Sequence, residues 1–345
     1  MRILVTGGAG FIGSNFVRYM LAREGDFQIV NLDKLTYAGN LANLESEESD
    51  PRYRFVRGDI AVRDTVDRVF CDVRPDAIVN FAAESHVDRS LLDASSFFET
   101  NVKGVHVLLE AAREQGVGKF VHISTDEVYG SLGEEGSFTE STPLFPNNPY
   151  AGSKAAAEML CRAYGRSYGI PVVITRSSNN YGPFQFPEKL IPLMIRNALR
   201  GDKLPVYGEG REIRDWLHVA DNCRAIATIL ERGCPGEVYN IGGGNERRNL
   251  QVVELICELL ASRVDSRGSF ADLIEFIPDP RGLAHDFRYA LDCTKIREEL
   301  HWEPEHSFES GLSLTVDWYL ENQNWVESVI SGDYQAYYQR VYGQA

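Results

Sequence analysis

The sequence predicts an α/β fold: a doubly wound parallel sheet joined to a smaller mixed α/β part. Three observations carry this reading. Short apolar, β-branched runs alternate with helix-like stretches through the first 180 residues; a glycine-rich turn follows the first run at once; and an acidic residue ends the second. At 345 residues and 43% hydrophobic, the chain can bury the core of one large domain with an appendage, or of two domains.

Arg2-Ile3-Leu4-Val5-Thr6 reads as a buried strand, and Gly7-Gly8-Ala9-Gly10-Phe11-Ile12-Gly13 follows directly. Glycines at 7, 10 and 13 permit a tight turn, close approach of backbone to a pyrophosphate, and tight packing of the next helix, expected over 14–23, whose first amides face the phosphates. Residues 27–32 form a second strand. Asp33 stands twenty residues beyond Gly13, where a carboxylate accepts hydrogen bonds from an adenosine ribose and repels a 2′-phosphate. The pattern therefore favours NAD over NADP. A third strand over 53–57 leads into Gly58-Asp59-Ile60, and a helix follows over 64–71. The fourth strand, 76–81, runs into Ala82-Ala83-Glu84-Ser85-His86, small residues against which a cofactor can lie flat. His86 and Asp88 are read as structural or as a substrate edge, and 95–114 as one long helix with Thr100 and Asn101 facing inward if the resemblance below holds.

Phe120-Val121-His122-Ile123-Ser124 is a fifth strand ending in Thr125-Asp126-Glu127, so a hydroxyl and two carboxylates stand where ligands gather in such sheets. Asn147-Asn148-Pro149 opens a helix with an Ala-rich body over 151–164. Tyr150 and Lys154, four apart, share a face, and an ammonium near a phenol is expected to pull its pKa of ~10 toward neutrality, fitting it to take a proton from an alcohol. Alone, such a pair is more often a packed ring and a solvated amine, and an acidic pair at a strand end is more often a turn cap. Here both stand beside a Ser-Thr strand end. A sixth strand over 172–176 ends in Ser177-Ser178-Asn179-Asn180-Tyr181-Gly182-Pro183.

Beyond about residue 180 the alternation loosens. The expected division is 1–180 with a returning segment near 215–245, in which Val238-Tyr239-Asn240-Ile241 rejoins the main sheet; 181–330 as the smaller substrate-binding part; and a tail over 331–345. Lys189, Arg214, Arg248, Arg281 and Arg288 are cations suited to a diphosphate, Arg214 foremost, since its planar fork can grip phosphate oxygens bidentately. Asp265-Ser266-Arg267-Gly268 reads as an exposed excursion, and 302–345 as helical stretches that pack or mediate contacts.

A net charge of −15 argues against nucleic acid or an anionic membrane as partner. Six cysteines at 71, 161, 223, 234, 257 and 293 form no C-x-x-C pair, no histidine cluster has metal spacing, and the thiols are expected to be reduced, mostly buried and cytoplasmic. A strand beginning at Arg2 leaves no room for a signal peptide, and no apolar run approaches membrane-spanning length.

Ser124-Thr125 with Tyr150 and Lys154 resemble the Ser/Thr, Tyr-x-x-x-Lys group of the extended short-chain dehydrogenase/reductases. Ser124-Thr125-Asp126-Glu127-Val128-Tyr129-Gly130 and Gly182-Pro183-Phe184-Gln185-Phe186-Pro187-Glu188-Lys189-Leu190-Ile191-Pro192 make the chain, from Met1 to about Trp318, similar to the nucleotide-sugar 4,6-dehydratases. The resemblance implies a Rossmann-type sheet, a resident NAD, and a hydro-lyase acting on a nucleotide sugar, dTDP-glucose foremost. It implies that Tyr150 takes the O4 proton as C4 is oxidised, that Glu127 removes the C5 proton, and that protonated Asp126 gives its proton to the departing C6 hydroxyl before hydride returns to C6. Thr125 would bond the sugar near O4, and Lys154 would hold a ribose and tune Tyr150. Cofactor contacts are implied for Gly7, Gly10, Phe11, Ile12, Gly13, Asp33, Lys34, Leu35, Thr36, Asp59, Ile60, Phe81, Ala82, Ala83, Ser85, Thr100, Tyr150, Lys154 and Asn180. Substrate contacts are implied for Ser85, Thr125, Asn179, Glu188, Lys189, Leu190, Pro205, Tyr207, Arg214, Asn249, Arg281, His285 and Tyr289, and no metal ligand is implied. A homodimer joined through helices near 95–114 and 150–168 is also implied.

One loop departs from the family. Its pattern Arg-Pro-Gly-His-Asp-Arg-Arg-Tyr here reads Arg281-Gly282-Leu283-Ala284-His285-Asp286-Phe287-Arg288-Tyr289, so a segment that closes over the diphosphate in relatives is expected to grip or select differently. The rival readings are a UDP-sugar 4,6-dehydratase, a nucleotide-sugar 4-epimerase, which generally lacks the Asp-Glu pair, and, from another class, a non-catalytic NAD-binding regulator, which needs no tuned phenol.

Overall fold

The computed structural model describes residues 1–265 and 268–330; the expected tail over 331–345, and Ser266 and Arg267 of the expected excursion, lie outside the described residues. β1 (Arg2–Thr6) and α1 (Phe11–Leu21) flank the glycine turn, followed by β2 (Gln28–Asp33), β3 (Tyr53–Arg57), α2 (Arg63–Val73) and β4 (Ala77–Asn80). α1 starts three residues earlier than expected, because Gly10, extended at φ −79° and ψ 179°, turns the chain into the helix without a capping side chain. After α3 (Val87–Leu92), the expected single helix over 95–114 is instead α4 (Ser95–Phe97), a π turn (Phe98–Gly104) and α5 (Val105–Gln115). The π turn widens the helix where Thr100 and Asn101 turn inward, both buried.

β5 (Lys119–Thr125) and α6 (Pro149–Tyr168) come next. Asn148 caps α6, its Oδ1 accepting the Ala151 amide at 2.8 Å; Pro149 presets the first turn; and Gly169, at φ +70°, ends it. The remainder comprises β6 (Val172–Ser177), β7 (Asn179–Tyr181), α7 (Leu190–Arg200), β8 (Leu204–Tyr207), β9 (Ile213–His218), α8 (Val219–Arg232), β10 (Val238–Ile241), β11 (Glu246–Arg248), α9 (Asn249–Ala261), β12 (Ile274–Ile277), α10 (Thr294–Leu300), α11 (Phe308–Glu321) and α12 (Gln323–Val329).

Seven strands form one parallel sheet in the order β10-β6-β5-β4-β1-β2-β3. Chain direction across the sheet reverses between β1 and β4, which leaves a crevice beyond their carboxyl ends. Alternate strand residues serve opposite faces. Ile3 and Val5 pack with Phe16 and Val17 of α1 and Ile226 and Ile229 of α8, whereas Leu4 packs with Val66 and Phe70 of α2, Leu108 of α5 and Cys161 of α6. A second core, around Met194, Trp216, Val252, Ile256, Phe308 and Leu312, supports the three-stranded sheet β11-β9-β7 and the pair β12-β8. All six cysteines are free; Cys71 and Cys234 are exposed, so burial of the thiols is less general than expected.

Candidate active site

β5 delivers Thr125 as its last residue, and a single 3-10 turn, Asp126–Tyr129, follows. Thr125 caps that turn: its Oγ1 accepts the Glu127 amide at 3.3 Å and donates to Asp126 Oδ1 at 3.2 Å. A threonine does the capping, which frees both carboxyls for other work. Asp126 is 2% exposed, and its Oδ2 has no hydrogen-bond partner among the described residues. Burial, then Glu127 and Asp215, push the Asp126 carboxyl well above the ordinary carboxylate range, against Thr125 and Arg214. Burial also raises Glu127, opposed by Asn148, whose Nδ2 donates to Oε2 at 3.2 Å, and by Arg281, Arg214 and Lys189. Both carboxyls are thus pushed toward the neutral form, Asp126 the more strongly, while the partners of Glu127 oppose the push. Asn148 was not expected here; its signal in the sequence is the Asn-Pro pair that also starts α6.

α6 carries Tyr150 and Lys154 on one buried face, and both line a hollow beyond the sheet. The expected lowering of the Tyr150 pKa is absent. Burial raises the phenol, Glu127 and Asp126 add to this, and a hydrogen bond with Thr125 opposes it. The reason is that Lys154 Nζ donates to the Ile123 carbonyl, 2.5 Å away at the end of β5, and does not act on the phenol. Burial lowers that ammonium to about 8, with Glu158 pulling it upward.

The first hollow is lined by Gly7, Gly10, Phe11, Ile12, Gly13, Asp33, Lys34, Thr36, Asp59, Ile60, Phe81, Ala82, Ala83, Ser85, Thr100, Tyr150 and Lys154, and also by Glu84 and Ser124, which were not among the implied cofactor contacts. Two expected members stand elsewhere. Leu35 is held at φ +58° with its amide on Asp33 Oδ1 and is not in the lining; Asn180, tied to the Ser178 carbonyl, lines the second hollow. The lining fits a dinucleotide. A Cβ on Gly7, at φ +69°, would meet the Ala82 amide nitrogen at 2.5 Å, and one on Gly13 would meet the Gly7 carbonyl oxygen at 2.2 Å, so the turn is as tight as a phosphate cradle requires. Gly10 lines the hollow itself, and no side chain caps α1, so its first amides can meet an anion. Asp33 is fixed at the edge by the amides of Ala9 and Leu35.

The second hollow is lined by Asn179, Leu190, Pro205, Tyr207, Arg214, Asn249, Arg281, His285 and Tyr289, together with Glu127, His86 and Asp88. Ser85, Gln185, Glu188 and Lys189 line both hollows. Thr125 and Asp126 line neither; Thr125 reaches the site through its bonds to the Glu127 amide and the Tyr150 phenol. The expected bidentate grip of Arg214 is spent within the protein, because its guanidinium donates to the carbonyls of Ile213, Asp286 and Phe287 and lies 4.4 Å from the Tyr289 ring centroid. It holds the divergent loop rather than reaching past it. Arg288, paired with Glu246, and exposed Arg248 are absent from the lining. Arg281 pairs with Asp88, and His285 with Asp279. The fold brings Glu212, Asp279 and His285 within metal-binding reach of one another, a grouping invisible in the sequence, but Arg281 and Arg214 press their charge on His285, which weighs against a cation there.

A sequence profile of the family described as GDP-mannose 4,6 dehydratase matches residues 4–315. The chain belongs to this family. A dTDP-glucose 4,6-dehydratase of Xanthomonas campestris pv. campestris is 52% identical over 344 residues, 96% of this chain and 97% of that one. Among solved structures, the dTDP-glucose 4,6-dehydratase DesIV of Streptomyces venezuelae, with NAD and TYD bound, is 51% identical with a TM-score of 0.89, covering 96% of this chain and all of that one. The dTDP-glucose 4,6-dehydratase of Bacillus anthracis, in complex with NAD, is 50% identical with a TM-score of 0.87 at the same coverage. The first hollow is shaped for a dinucleotide and carries Tyr150, and the second sets Lys189, Arg214 and Arg281 among the carboxyls of Asp88, Glu127, Glu188 and Asp286.

Proposed function

We propose that the chain catalyses the NAD-dependent dehydration of dTDP-glucose to dTDP-4-keto-6-deoxyglucose, by oxidation at C4, loss of water across C5–C6 and return of hydride to C6. The observation that carries this reading is the adjacent pair Asp126-Glu127, buried beside Tyr150 with its two members pushed unequally upward. Elimination needs a base at C5 and an acid at the C6 hydroxyl together; a 4-epimerase needs acid–base help only at O4. Bound NAD⁺ supplies the hydride acceptor and later donor, and a positive charge that offsets the carboxylates at Tyr150. The residues lining the first hollow would hold it, Asp33 being suited to a ribose and the first turn of α1 to a pyrophosphate. Tyr150 takes the O4 proton, Glu127 removes the C5 proton made acidic by the 4-ketone, and Asp126 in its protonated form gives its proton to the departing C6 hydroxyl; as hydride returns to C6, a solvent-exchanged proton is delivered back to C5. Lys189, Arg214 and Arg281 give the second hollow the charge a nucleoside diphosphate needs.

On the same reading residues 1–180, with the stretch near 215–245, form the cofactor part and 181–330 mainly the sugar-nucleotide part. The protein acts as a homodimer in the cytoplasm; free thiols suit that compartment, and no helix among the described residues is long and apolar enough to cross a membrane. The test is mass spectrometry of dTDP-glucose incubated with protein and NAD⁺ in deuterated water. A product lighter by one water with solvent deuterium at C5 is expected; an unchanged or merely epimerised sugar would overturn the assignment.

A further inference from the structure

The loop after β2 and the segment after β7 both line the first hollow, the former through Thr36, Ala38 and Gly39 and the latter through Gln185, Phe186, Glu188 and Lys189. Tyr37 does not line it and instead joins the two. Its hydroxyl donates to Glu188 Oε1 at 2.8 Å, and its ring meets that of Phe186 edge-on at 5.5 Å. The Arg89 guanidinium lies over the same ring, 3.8 Å from its centroid, while Arg89 Nε donates to Glu188 Oε2 at 3.3 Å. Glu188 is buried and lines both hollows, so its two oxygens are shared between a phenol from the cofactor loop and a guanidinium from α3. Neither Tyr37 nor Arg89 stands in either lining.

We propose that Tyr37 is a positioning residue that retains the cofactor: its bond to Glu188 ties the loop over 34–39 to the segment over 185–189 and keeps the first hollow closed. The inference rests on the reading that this hollow holds NAD. A reaction that lifts a hydride from C4 and returns it to C6 of the same sugar fails if the reduced cofactor escapes between those steps, because the ketone is left without its donor. A tie made outside the lining can resist that escape without touching the reacting atoms. A hydroxyl bonded to a buried carboxylate is among the stronger hydrogen bonds, so its loss should be felt.

The experiment compares wild type with Tyr37→Phe, which keeps the ring contacts and removes only the hydroxyl. Each protein is loaded with NAD⁺, desalted, and followed for release of the nucleotide without sugar present. Release from Y37F should be about tenfold faster or more, the scale of one lost hydrogen bond to a charged group. Turnover without added NAD⁺ should fall and be restored by supplying it, with the KM for dTDP-glucose unchanged. Tyr37→Leu, which also removes the ring beneath Arg89, should extend the effect. Release at the wild-type rate from both variants, even with a lowered melting temperature, overturns the inference while leaving the reading of the hollow intact. A wild type that binds no NAD in the same assay overturns that reading and the inference with it.

Discussion

The surroundings of Asp126 make its charge costly and push its carboxyl toward the neutral form, and the consequence for stability has a definite sign. Its folded pKa lies above the unfolded one, so its contribution is fully present below the ordinary carboxylate range and is lost as pH rises through the raised folded value. Asp126→Asn replaces the titrating group with a neutral one. Its unfolding free energy should therefore gain on wild type as pH rises from about 4 upward, by at most about 1.4 kcal/mol for each pH unit crossed up to the raised folded value, with the melting temperature rising in step. In activity the same variant should lose water elimination by about 10²–10⁴-fold while still reducing bound NAD⁺ with dTDP-glucose, seen as absorbance near that of NADH. A melting difference flat with pH, or unimpaired elimination, would remove Asp126 from the role of acid. The proposed acid was legible in the sequence only as a candidate, one of an Asp-Glu pair at a strand end. Its protonation state was not, since Asp215 and Arg214, which bias it from opposite directions, lie nearly ninety residues away in the chain. For the same reason the sequence misjudged Tyr150: spacing along a helix puts Lys154 near it, but a strand carbonyl takes the ammonium.

Two elements must be kept in register for the site to work, the turn bearing Asp126 and Glu127 and the helix α6 bearing Tyr150 and Lys154. A fully buried chain of contacts does this. Arg176 of β6 grips Glu158 of α6 with Nε and Nη2, and its Nη1 donates to the Tyr129 hydroxyl at the end of the turn, which in turn donates to Asn240 Oδ1 of β10 at 2.7 Å. Removing one partner strands the other charge without solvent. Glu158→Gln and Arg176→Met should each cost about 3–5 kcal/mol in urea unfolding, and the double variant should cost clearly less than their sum. Simple additivity would show that the pair does not act as a unit. β1 was legible because burial leaves a continuous apolar run, and β3 because Tyr53, Phe55 and Val56 are half-buried while Arg54 and Arg57 are exposed; the expected limits of both match the structure residue for residue. The π turn in the long helix left no such trace. It lies where Gly104 packs so closely that a Cβ would meet Ile60 Cδ1 at 2.6 Å, and Thr100 and Asn101 are pulled toward Lys34 and Glu84, partners set by the fold and not by the local sequence. β7 and β11, three residues each, are too short for any periodicity to reveal.

At the scale of the molecule, the segments proposed to meet in a dimer, 95–115 and 149–168, also supply Thr100, Tyr150 and Lys154 to the first hollow. The segments over 95–115 and 149–168 leave Phe98, Met159 and Tyr168 from 46% to 58% exposed. Packed against a second copy, the two segments from each would form a four-helix arrangement in which these residues are withdrawn from water, each worth about 1.5–3 kcal/mol when fully buried. A net charge of −15 on each copy opposes association at a distance, so the contact has to be apolar and close. The wild type should sediment at twice the 38.7 kDa of the chain at micromolar concentration, and more firmly so as salt is raised. Met159→Glu places a carboxylate in the middle of that contact and should give a monomer. Because neither hollow borrows a residue from the partner on this reading, the monomer should keep turnover within a few-fold while melting earlier. A wild type that sediments as a single chain, or a Met159→Glu variant that stays paired, would place the dimer contact elsewhere or nowhere.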